Sequence, residues 1–191
     1  MAFTGLQYAV VAAITAETEG SAVTYGTGKV LGRMISANIS WTRNDNPLYA
    51  DDAIAENDNG VTGGTIELNI DDISDDGRVY VLGETEVTVT NGKEYETTEA
   101  PAPYVGLGFL RVKRKAGVTS YIAEWVHKVQ FGMDSEEAQT KGESIEWQTP
   151  TLNGKIFAVR NDSSLVNHYR RTATFETLAE AKAWLDDKAG T

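Results

Sequence analysis

The chain has 191 residues and a formal net charge of -11, with 17 Lys and Arg against 28 Asp and Glu, two His and no Cys. That length suits one domain with a substantial core, and the missing Cys excludes a disulfide framework, a thiol nucleophile and cysteine-ligated zinc. The longest unbroken apolar run, Tyr8 to Ile14, is too short to cross a bilayer, and no Lys or Arg precedes it as a signal peptide requires, so a soluble, unexported protein is expected.

Charge is unevenly distributed. Residues 45–100 hold 15 of the 28 acids but only Arg78 and Lys93 of the 17 bases, so the whole acidic excess lies there and the rest of the chain is slightly basic. Such a field repels phosphates and argues against a groove that grips DNA.

Apolar and polar residues alternate along much of the chain, the pattern of antiparallel sheets with one buried face. Strands are expected at Leu6 to Ile14, Lys29 to Trp41, Gly64 to Ile70, Thr85 to Thr90, Tyr104 to Lys113, Ser120 to Phe131, Ser144 to Gln148 and Leu152 to Val159. In the second, Ile35, Ala37, Ile39 and Trp41 share one face. In the third, Ile66, Leu68 and Ile70 oppose Thr65, Glu67 and Asn69.

Between these two strands runs a long connection, about Arg43 to Gly63, that includes the acidic stretch "LYADDAIAENDNG". A connection of this length without helical periodicity is usually functional or disordered. Its acids do not form an EF-hand loop: counting back from Gly60 puts Ala55 in the first ligand position. "DDISDDG" fails too: with Asp72, Ser74 and Asp76 as the first, third and fifth positions ahead of Gly77, the twelfth falls on Gly83 rather than Glu. Leu48, Tyr49 and Ile54 are unusual in a disordered linker, so the segment reads as an arm that packs on something outside its own domain.

Asp72 to Leu82 is expected to form a helix that begins on an Asp cap and stops at Gly83, although Gly77 costs it about 1 kcal/mol and Val79 and Val81 are stiff. Around Asn91 and Gly92, a three-residue hairpin loop with Gly92 at positive φ would set Val89 opposite Lys93 and Val87 opposite Tyr95. Glu84, Glu86, Glu94 and Glu96 would then share the other face, with Glu86 opposite Glu96, a like-charge pairing that disfavours the sheet. Near the C-terminus, Thr177 and Glu180 form a capping box, and Leu178, Ala181 and Leu185 make one stripe before Gly190.

Catalytic motifs are missing. No nucleophile elbow, phosphate loop or His-Glu-x-x-His segment occurs, and "GTGKVLG" at Gly26 to Gly32 has its third Gly one residue late for a dinucleotide fingerprint. Asp51 and Asp52 would diverge if extended, so they do not by themselves make an acid and base pair. His127 falls on a strand with Tyr121, Trp125 and Phe131 on its face, as a packed or interface His would, and His168 has no partner nearby in sequence. No enzymatic activity, cofactor or metal is expected.

Four phrases occur in order: "ISANISWTRNDNPLYADD", "GGTIELNIDDISDDGRVYVLG", "APAPYVGLGFLRVKRKAGVTSYIAEWVHKVQF" and "DSEEAQTKGESIEWQTPTLNG". Together they resemble the major tail protein family of long, non-contractile-tailed bacteriophages, over roughly residues 4–159. The block from Asp134 to Gly154 is the most specific, and the chain departs from the family pattern at "SWTRNDNP".

The resemblance implies a mainly β, sandwich or barrel-like tail-tube fold over residues 1–160 with a flanking helix and a long arm loop. Residues 161–191 would be an extension ending in a capped helix, packed on the same domain. It implies a structural subunit that self-assembles into stacked, hexameric rings, a hollow tube around a tape-measure protein, through which DNA passes without specific binding. Tail terminator and tail-tip proteins would be further partners, with no membrane. The protein would reside in the virion tail after assembly in the host cytoplasm.

The same resemblance sends the arm to a neighbouring subunit or ring, with Leu48, Tyr49 and Ile54 as anchors and Asp51 and Asp52 pairing with bases or amides next door. Glu84, Glu86, Glu94 and Glu96 are the first candidates for an acidic lumen and Glu67 the next. Two other classes compete. A recognition module for carbohydrate or protein would use Trp41, Trp125 and Trp147 as platforms, and a metal-dependent hydrolase would use the acidic loops. Open sheet edges favour self-association.

Overall fold

A computed structural model describes residues 3–50, 52–132 and 149–191. The chain is mainly β and antiparallel, as the alternation predicts. In order come β1 (Phe3–Ala16), β2 (Thr24–Tyr25), β3 (Lys29–Gly32), β4 (Met34–Arg43), β5 (Asn46–Ala50), β6 (Ala53–Asp58) and β7 (Val61–Ile70). A short helix α1 (Asp75–Gly77) and a π-helical turn (Arg78–Leu82) follow. Then come β8 (Thr85–Val89), β9 (Gly92–Glu96), β10 (Tyr104–Lys115), β11 (Val118–Gly132), β12 (Thr151–Ile156), β13 (Arg170–Phe175) and helix α2 (Leu178–Ala189).

One large sheet runs β2-β1-β10-β11-β12-β7-β4, with β3 on β1 and β13 on β11, while β5-β6 and β8-β9 form separate two-stranded ribbons. The expected strand from Lys29 to Trp41 is divided, because β3 bonds to β1 and β4 bonds to β7 at the other end of the sheet. This short link draws the two ends of the sheet together and curls it around its core. The break falls at Gly32 and Arg33, where a Cβ on Gly32 would meet the Asp72 carbonyl at 2.3 Å. Asp71 fixes the corner, its Oδ1 accepting from the Arg33 amide at 2.8 Å.

Inside the curl, Ala9, Val11, Ile66, Leu68, Leu107, Phe109, Val126 and Ile156 pack with Val81 of the π-helical turn. A second core lies on the opposite face of β1, β10 and β11, where Val10, Leu110 and Trp125 meet Ala181, Leu185 and Ala189 of α2. Thr177 caps α2 through Glu180 and Gly190 ends it at φ 67°, as the sequence predicts. The extension is thus continuous with the domain, since β13 pairs with β11 and α2 covers the adjoining strands.

Two faces differ from expectation because of bulges. A register shift between Met34 and Ser36 turns Met34 toward the core and leaves Ile35 53% exposed, while Ala37, Ile39 and Trp41 pack inward as expected. In β11, Val129 pairs with Val105 but Val126 with Leu107, so one extra residue is accommodated. Trp125 therefore faces α2 and Phe131 faces the main core, although both occupy odd positions.

The expected helix from Asp72 starts later, at Asp75, with Ser74 as its cap and Gly83 as its stop at φ 71°. Gly77 fits here because a Cβ would press on Leu31 and Ile73 at 2.9 and 3.0 Å. Strand β13 was not foreseen, and the expected strand at Ser144 to Gln148 lies outside the described residues.

Candidate assembly surface

The arm is a ribbon rather than a structureless loop. Pairing of β4 with β7 reaches Arg43 and Val61, and β5 with β6 extends it through Leu48 with Glu56, Tyr49 with Ile54 and Ala50 with Ala53. Polar groups join the two ribbons: the Asn44 amide donates to the Gly60 carbonyl at 2.8 Å, and the Asn57 side chain donates to Asp45 at 3.0 Å. These Asn and Asp residues replace helical periodicity with cross-strand hydrogen bonds, a signal invisible to a search for apolar alternation. Leu48 is 59% exposed, and Asp52 stands at φ 61° at the turn. Asp51 lies outside the described residues.

The acidic hairpin differs from the expected register. Glu86 pairs with Tyr95, Val87 with Glu94 and Val89 with Gly92, so the loop has two residues, and Asn91 rather than Gly92 takes positive φ, at 66°. Glu94 and Glu96 consequently share a face with Val87, while Glu86 lies on the other face with Tyr95 and Lys93. This register avoids the opposition of Glu86 and Glu96 and brings Lys93 within 3.0 Å of Asp75 and 3.8 Å of Glu86.

Glu84 leaves the acidic set altogether. It is 6% exposed and held by Arg78 through Nε to Oε2 at 2.6 Å and Nη2 to Oε1 at 3.0 Å. Arg78 in turn lies 5.5 Å from the Tyr95 ring centre. A buried, forked ion pair anchors the base of the hairpin and offers no free charge to a pore.

Glu67 is exposed on the outer face of β7, between Asn38 of β4 and Asn153 of β12. Around it lies an open groove of about 560 Å³ lined by Asn38, Ser40, Thr65, Glu67, Asn153 and Lys155 among others. Amides and hydroxyls dominate this face, with one acid and one base among those six. The sequence alternation identified the polar side of β4 and β7, whereas the contribution of β12 required the sheet order.

A second charged cluster was not foreseen. Glu124 is fully buried and pairs with Arg111 and with Arg170, the latter through Nη1 to Oε2 at 3.0 Å. Arg111 stacks 4.6 Å from the Phe3 ring centre and Arg170 5.3 Å from that of Trp41. Strand pairing across β10, β11 and β13 creates this triad from residues remote in sequence. Burial holds both guanidiniums below the usual arginine range.

His127 is packed, as expected, at 6% exposure, and its backbone carbonyl accepts from the Tyr25 hydroxyl at 2.9 Å. Burial, followed by the charges of Arg171, His168 and Lys188, pushes its pKa down to about 4. His168 does have a nearby partner, Asp162, with Nε2 to Oδ2 at 2.9 Å. Trp125 is fully buried and cannot serve as a stacking platform, Trp41 is half-buried, and Trp147 lies outside the described residues. Among the described residues no three His, Asp or Glu come together as a metal site. No protein-family model matches the chain, and no match was found among the curated proteins.

Proposed function

We propose that this protein is a structural subunit of a phage tail tube that assembles with copies of itself into stacked rings around a conduit for DNA. The reading rests on the four sequence phrases together with one structural observation: a ribbon arm with an exposed Leu48 continues from β4, a strand bonded on one side only among the described residues. A ten-residue open edge without Pro or Lys invites pairing with another chain. The arm adds a second contact surface, and among the described residues neither core uses it.

In this assembly the polar face around Glu67 is the better candidate for the conduit wall than β8-β9. Amides and hydroxyls with one acid, Glu67, balanced by one base, Lys155, give DNA phosphates little net charge to grip, and six copies would repeat that face around the pore. The hairpin acids are split between two faces and one is neutralised, which weakens their claim.

Negative-stain electron microscopy of the purified protein at low and high concentration, with light scattering of the soluble fraction, tests the reading. Hollow tubes or stacked rings are the expected result. A strict monomer at every concentration, together with failure to assemble when a tail-tip initiator is supplied, would overturn it in favour of a recognition module.

A further inference from the structure

Where α2 ends, its last turn meets β2, β13 and the bulged part of β11 around a separate pocket of about 330 Å³. That volume is at the small end of ligand pockets, which span about 300–1,000 Å³. His127, Arg171, Lys188, Asp187, Asn161 and Thr24 contribute to its lining. Although the whole chain carries -11, the charged side chains here are two cations and one anion.

Arg171 is exposed and has no carboxylate partner among the described residues. Lys188 is held by Asp187 at 2.8 Å, and that carboxylate is 72% exposed. His127 is nine-tenths buried, and its imidazole makes no hydrogen bond among the described residues. An imidazole that lines the pocket without a hydrogen-bond partner, beside an unpaired guanidinium, is an arrangement that an acceptor from outside completes.

We propose that this pocket binds a small tetrahedral oxyanion of the sulfate or phosphate class, held by Arg171, Lys188 and the His127 imidazole. Arg171 supplies a planar donor fork, Lys188 a point charge shared with Asp187, and His127 a ring N–H. The other groups around His127 leave this role open: Tyr25 donates to its backbone carbonyl, His168 is engaged by Asp162, and Glu17 is engaged by Lys128.

The bound anion also changes the proton balance. In the empty pocket, burial and the neighbouring cations keep His127 neutral at pH 7. An oxyanion offsets those cations and favours the imidazolium, so binding takes up a proton and tightens as pH falls.

Equilibrium dialysis of radiolabelled sulfate against the full chain tests this, whether the protein is monomeric or assembled. Sulfate is suitable because it does not itself titrate over about pH 5 to 8, leaving the protein as the source of any linked proton uptake. One saturable sulfate per chain is expected, with tighter binding at lower pH. Arg171→Ala should weaken it about tenfold, as loss of a charge-assisted contact does, without altering the melting curve of an exposed site. His127→Asn should weaken binding, most of all at low pH, and abolish its pH dependence while Arg171 and Lys188 still support residual saturable binding. No saturable binding, binding that Arg171→Ala leaves unchanged, or the same pH dependence in the His127→Asn protein would each overturn the proposal.

Discussion

Arg78 closes a forked ion pair on Glu84, with Nε to Oε2 at 2.6 Å and Nη2 to Oε1 at 3.0 Å, and the carboxylate is buried where the π-helical turn meets β8. Removing the guanidinium strands a buried charge, so Arg78→Ala should cost about 3 kcal/mol. Glu84→Gln keeps hydrogen-bonding capacity and should cost about 1 kcal/mol. Urea denaturation of the two variants measures both, and equal losses would contradict this account of the pair.

The register of β8-β9 is open to a direct chemical test because the chain has no Cys of its own. Thr88 faces Lys93 across the ribbon, so cysteines at these two positions should form a disulfide on mild oxidation. Cysteines at Thr88 and Glu94, which the three-residue loop would align, should oxidise poorly. Mass spectrometry under matched conditions distinguishes the two arrangements.

Excision of residues 46–58, with a short Gly turn joining the ends, should leave the domain folded, since among the described residues neither core draws on β5 or β6. Its melting temperature should change by only a few degrees, about 1 kcal/mol for a chain of this size. Assembly should nevertheless be lost if the arm joins subunits. Calorimetry and electron microscopy on the same preparation separate these effects, and tubes as abundant as those of the intact chain would exclude the arm from assembly.

His127 links stability to pH with a definite sign. Its folded-state pKa of about 4 lies below the ordinary 6.5, so the unfolded chain binds more protons between those values and stability falls as pH drops through that window. The full effect is about 3 kcal/mol, present above pH 6.5 and lost toward pH 4. His127→Asn lacks this contribution, so the stability difference between the two proteins should narrow or reverse by that amount on acidification. Denaturant midpoints across the range measure it, and a constant difference would refute the assignment.

Local chemistry made part of this protein legible from its sequence. The Thr177 and Glu180 box, the stop at Gly83 and the alternation of Ile66, Leu68 and Ile70 depend on neighbours within one or two turns or along one strand, so they are written in short windows. The polar face bearing Thr65, Glu67 and Asn69 was visible for the same reason.

What the tertiary structure decided depends on partners distant in the chain. The bulges that expose Ile35 and set Trp125 and Phe131 on opposite faces follow from registers with β7 and β10. The two-residue hairpin loop is favoured where Lys93 can meet Asp75 and Tyr95 can meet Arg78. The pairing of Glu124 with Arg111 and Arg170, and the pocket formed by His127, Arg171 and Lys188, likewise arise only when remote strands and α2 converge. Period and capping are properties of a segment, whereas register and charge pairing are properties of the surfaces that segments bury together.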